Sequence, residues 1–202
     1  MKINLFIALI LNLFVIGINT IVLLKVKIKQ DIIKYYTYFY AALLTVINII
    51  YSFCIIMNLL LDNIVPEYVK GLRYVSICGV LMASFVYVVF LSRKESNRFN
   101  GNDFNGFNPK LANIFLHYVS PFVMLLSFIF FERSIELNNS IWTILAIIPT
   151  ALYWIIYLVF SVFKVWKEPY DFSSKNKVLE IISYISIPVV FILISFILWN
   201  IK

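Results

Sequence analysis

Apolar residues dominate this chain in six long runs, covering Ile3–Leu24, Tyr35–Leu61, Leu72–Leu91, Leu111–Phe131, Ile141–Phe163 and Val178–Ile201. Each run reaches the length of about 18 apolar residues that marks a membrane-crossing helix. The pattern predicts an all-α, polytopic integral membrane protein: a single domain over residues 1–202, with six transmembrane helices in one bundle. Most connections are short. The longest, Ser92–Lys110, carries Asn-Gly pairs and ends in Asn108-Pro109, so it reads as a solvated, turn-rich loop. The first run is too long for a secretion signal and lacks a small-residue cleavage pattern after it, so it is expected to be retained.

The polar positions inside the runs are not scattered. Thr37, Ala41, Thr45, Asn48 and Ser52 fall on one helical stripe of the second run. Asn113, His117, Ser120, Met124 and Ser127 do the same in the fourth, and Asn4, Ala8, Asn12 and Asn19 lie near one face of the first. The fifth shows Thr143, Thr150, Trp154, Tyr157 and Ser161. Small and polar groups in a bilayer turn toward other helices, where their hydrogen bonds are met. The stripes therefore serve either helix packing or a site.

His117 is the only histidine in the chain. No Asp, Glu, Lys or Arg is expected well inside any of the runs, and an ionisable side chain within a membrane marks function by default. A neutral imidazole carries one donor and one acceptor nitrogen, so it is able to take a proton from a hydroxyl. The alternative is a histidine that only hydrogen-bonds a neighbouring helix. Pro121 lacks the N–H that would bond the carbonyl of His117, so that carbonyl is expected to turn to a neighbouring hydroxyl or water. Thr37 enters the second helix from the same face as His117 enters the fourth. Their depths differ by about 6 Å from the rise per residue, which tilt or a kink would absorb.

Composition narrows the reading. The chain is 62% hydrophobic and only 13% charged, with a mean hydropathy of +0.93, too little charge to cover a soluble surface. Lys25, Lys27, Lys29, Lys34, Arg93, Lys94, Arg98, Lys110, Lys164, Lys167, Lys175 and Lys177 fall on one face. Lys2, Lys70, Arg73, Arg133 and Lys202 fall on the other. The positive-inside rule makes the richer face cytoplasmic, which places a multi-pass protein in the cell membrane with both termini outside. The net charge of +7 is then a topology signal that favours anionic lipid headgroups, with no nucleic-acid partner. One histidine and two cysteines, Cys54 and Cys78, both in apolar runs, argue against a metal cage and point to no cofactor.

Four stretches occur in order along the chain: YYTYFYAALL, LHYVSPFVMLL, ALYWIIYLVF and EPYDFSS. Together they resemble the androgen-induced protein family and its bacterial six-helix relatives, from about Tyr35 to the end of the chain. Where those relatives often carry a Ser-Asn pair, this chain has Tyr40-Ala41. The resemblance implies an intramembrane hydrolase of lipophilic esters, belonging to lipid metabolism, with Thr37 as nucleophile and His117 as base. Such a threonine attacks the ester carbonyl once a base takes its proton, and water then releases the acid. Tyr36, Tyr38 and Asn113 are candidate donors to substrate or to the developing oxyanion. Asp171 either orients the imidazole or sits in a solvated turn. Membrane lipids and a lipophilic ester are the implied partners, with neither the particular lipid nor the oligomeric state assigned. Two other readings fit the residues: a substrate-binding or transport membrane subunit, and a scaffold whose stripes only pack helices.

Overall fold

The computed structural model describes residues 2–26, 35–92, 105–132, 137, 139–163 and 177–201. These residues form helices α1 (Lys2–Lys25), α2 (Tyr36–Leu61), α3 (Glu67–Val86), α5 (Ile141–Val162) and α6 (Lys177–Ile201). Between α3 and α5 lies α4, Pro109–Phe131. It is a continuous helix whose turns Phe115–Val119 and Ser127–Phe131 are π-helical. A further π turn, Tyr87–Leu91, extends α3. Asn108 starts α4 by accepting from the Lys110 amide at 2.9 Å, and Pro109 occupies the first helical position, where its missing N–H costs nothing.

The all-α class and the multi-pass character hold, but the expectation of six crossings is corrected. Among the described residues four helices are long and apolar enough to cross a membrane: Lys2–Lys25, Tyr36–Leu61, Glu67–Val89 and Pro109–Phe131. In α5 and α6 the qualifying apolar stretches are Ile141–Tyr157 and Ser186–Ile201, shorter than the roughly 20 residues that span a hydrocarbon core. The surface that these helices turn outward is itself greasy. Phe14, Phe53, Phe122 and Phe196 are more than half exposed, as suits contact with lipid tails.

Neighbouring helices run antiparallel. Lys2 pairs with Asp62 just beyond α2 at 3.0 Å, and the Tyr74 ring near the start of α3 meets Trp199 near the end of α6 at 6.2 Å. The start of α1, the start of α3 and the end of α6 therefore share one end of the bundle. The main core lies around α3, where Tyr40 and Leu44 of α2, Ile77 and Cys78 of α3 and Met124 of α4 are buried together.

Two glycines set how closely α3 approaches its neighbours. A Cβ at Gly79 would lie 1.8 Å from the Tyr40 ring, and one at Gly71 would lie 2.0 Å from the Trp142 ring. Tyr40 has nowhere to move: it is fully buried, and its hydroxyl is bonded to Thr150 of α5 at 2.9 Å. Gly79→Ala is therefore expected to lower stability by about 1–3 kcal/mol, the usual range for overpacking. A melting curve of the purified variant unchanged from wild type would contradict this packing.

Candidate functional site

Two buried polar groups occupy opposite ends of α3. The first surrounds His117. Its helix reaches α3 at the turn Ala83–Tyr87. The imidazole stacks on the Tyr87 ring, with centroids 3.7 Å apart and planes 10° from parallel. The ring also hydrogen-bonds the backbone of Ala83. The Ser84 hydroxyl donates to the carbonyl of His117 at 2.5 Å. That is the carbonyl which Pro121 cannot bond, so the proline's local consequence is met as the sequence predicts, by a hydroxyl from a neighbouring helix. Both His117 and Tyr87 lie in π turns, and π turns recur at functional positions because they redirect side chains.

Thr37 is buried in the first turns of α2 at 6% exposure. The Tyr40–Gly79 contact fixes the register of α2 against α3. One turn back along α2 and one turn on along α3 bring Thr37 to the level of Ala83. Thr37 and His117 thus lie near one level of the bundle on two different helices, and α2 packs on the π turn that carries His117.

The proposed auxiliary groups fare less well. The Asn113 amide donates to Pro109 O of its own helix at 3.0 Å, so that nitrogen is committed to the backbone. The Tyr36 hydroxyl is bonded to Thr150 Oγ1 at 2.9 Å, and Thr150 is shared with Tyr40. Tyr36 therefore belongs to a hydroxyl cluster between α2 and α5. Tyr38 is buried with its ring edge-on to Tyr35. Asp171 and the loop around it lie outside the described residues. Cys54 and Cys78 are free thiols. Among the described residues no group of three or more His, Cys, Asp and Glu side chains gathers to hold a metal.

The second polar group contradicts the expectation that no charge lies well inside a span. Arg73, read from sequence as a topology charge, is 1% exposed, and Glu132 is 4% exposed. The two form a forked ion pair: Nη2 to Oε1 at 2.9 Å and Nε to Oε2 at 3.4 Å. Ser127 Oγ donates to Glu132 Oε1 at 2.5 Å. Arg73 Nη1 donates to Asn48 Oδ1 and, at 3.0 Å, to Met124 Sδ. Asn48 Nδ2 also reaches Met124 Sδ at 3.4 Å, and the guanidinium carbon lies 5.2 Å from the centre of the Tyr51 ring. A buried ion pair persists only when such added contacts offset the loss of hydration.

A signal for Arg73 was available in the sequence. Pro66-Glu67 is a helix-start pattern, and α3 does begin at Glu67 with Pro66 at its N-cap. Read that way, Arg73 falls almost two turns inside the helix. The apolar run alone begins at Leu72 and makes the arginine look peripheral. The two polar groups are separated by about 16 Å along α3, from the rise per residue.

No protein-family model matches the chain, and no match is found among curated proteins or solved structures.

Proposed function

We propose that this protein hydrolyses lipophilic esters within the membrane, using Thr37 as nucleophile and His117 as general base. One observation carries the reading: Thr37 and His117 are both buried, on two helices that pack together, with α2 meeting the π turn that carries His117. The resemblance of the Thr37 and His117 segments to androgen-induced proteins points the same way.

The chemistry follows from the residue types. An imidazole that donates one N–H to the Ala83 carbonyl is fixed in one tautomer and presents its other nitrogen as an acceptor. That nitrogen takes the Thr37 hydroxyl proton as Oγ forms a bond to the ester carbonyl carbon. The tetrahedral intermediate collapses, the ester C–O bond breaks, and the leaving alkoxide receives the proton from His117. Water then adds to the acyl-threonine, giving a proton to His117. The acid leaves and Thr37 Oγ recovers its proton. Water is consumed once and no other reactant is needed.

In this reading the basic connections lie on the cytoplasmic side and both termini outside. The shared end of the bundle that holds Lys2 and Trp199 supports placing the termini together. A second reading, a substrate-binding or transport subunit, draws support from the Arg73–Glu132 pair, since intramembrane charges commonly line polar pathways. A fluorophosphonate probe separates the two. Hydrolysis requires the probe's phosphorus to be found on Thr37 after proteolysis and mass spectrometry, with fluoride released. A purified, folded protein that stays unlabelled at Thr37 would count against the nucleophile and leave the transport reading.

A further inference from the structure

The polar stripes of α1, α2 and α4 converge on one interface, and not all of their hydrogen bonds are met there. Ser120 Oγ of α4 donates to Asn19 Oδ1 of α1 at 2.6 Å. Two turns away along each helix, Asn12 of α1 comes level with Ser127 of α4, and α1 packs on the π turn that Ser127 begins. Ala8 and Leu9 of α1 are buried with Tyr51 and Ile55 of α2, which brings Asn12 level with Asn48 and Ser52. Asn12 therefore lies level with Asn48 and Ser127, the side chains that bond Arg73 and Glu132.

Asn12 is fully buried, and among the described residues neither its amide oxygen nor its amide nitrogen has a hydrogen-bond partner. The Ser52 hydroxyl and the Asn19 amide nitrogen, also buried, are likewise without partners among the described residues. An amide left unbonded in apolar surroundings is costly, and a bilayer supplies no bulk water to relieve it. Donors and acceptors are both present, so the complementary ligand must itself donate and accept. Arg73 beside the site disfavours a metal cation, and Glu132 disfavours an anion.

We propose that α1, α2 and α4 enclose ordered water molecules bonded to Asn12, Ser52 and Asn19, and that this water hydrates the Arg73–Glu132 pair from its α1 side. Water fits because it bonds to two to four polar groups at once. The inference is independent of ester hydrolysis, since its test reads water contact and not turnover.

The test is a water-selective NMR cross-relaxation measurement on the full chain in lipid nanodiscs, with asparagine side-chain amides labelled with nitrogen-15. Asn12→Leu assigns the Asn12 signal by its disappearance; should that variant fail to fold, Asn12→Ser assigns it instead. The expected result is a direct water cross-peak at the Asn12 and Asn19 side-chain amides, with the sign of a long-lived contact. Resolved amide signals without any water cross-peak would overturn the proposal. So would a shift of the Asn12 signal on adding sodium or chloride at constant ionic strength, which would assign the site to an ion.

Discussion

Leucine at Glu132 is expected to lower the stability of the folded protein by about 3–5 kcal/mol, the cost of leaving one partner of a buried ion pair uncompensated. The Arg73 guanidinium would keep its contacts to Asn48 and Met124 but lose the carboxylate that both arms of its fork address. It lies too far from the end of α3, and too deeply packed, to turn to solvent. Removing the arginine instead, as Arg73→Met, leaves the carboxylate with only neutral donors, Ser127 and Tyr51, and a comparable loss is expected. The double variant Arg73→Met with Glu132→Leu should recover most of what either single change loses, because no lone charge remains. Denaturant titrations of the four proteins in one micelle composition give the cycle. Losses that simply add in the double variant would mean that the pair does not act as a unit.

Alanine at Thr37 is expected to reduce ester turnover by about a thousandfold or more, equivalent to roughly 4 kcal/mol of transition-state stabilisation. The neighbouring hydroxyls of Tyr36 and Tyr40 are both bonded to Thr150. His117→Ala should produce a loss of similar size. The two losses should not add in the double variant, since nucleophile and base serve one step. Thr37→Ser retains the hydroxyl and should retain measurable turnover, which separates lost chemistry from lost packing. The Arg73→Met, Glu132→Leu double variant should turn over at close to the wild-type rate, given the distance along α3. Undiminished hydrolysis by folded Thr37→Ala would remove the threonine from the mechanism.

The helices were legible because apolar runs of this length have few alternatives, and so were the inward faces. The Asn19–Ser120 and Asn48–Met124 contacts join residues that share the stripes visible in the sequence. The fate of the His117 carbonyl was legible too, since proline removes a specific donor at a specific position. The number of crossings was not. Among the described residues four helices qualify where the apolar runs predict six. The charge pair was hidden as well: a boundary drawn at the first apolar residue put Arg73 outside, although a proline-glutamate helix start lay upstream. Tyr36 and Asn113 could not be resolved by stripe alone. Whether a side chain serves a substrate or its own neighbourhood depends on partners from other helices, Thr150 in one case and the Pro109 carbonyl in the other.

The π turns of α4 carry a further consequence. Each wide turn takes up one residue beyond the α-helical period, which displaces everything after it by about 100° around the axis. Glu132 follows two such turns, so its aim at Arg73 depends on both. A one-residue deletion between Phe115 and Val119 would leave the hydropathy profile almost untouched and yet swing the carboxylate off its partner. In this chain the angular phase of a helix, and not its greasiness, decides which charges meet.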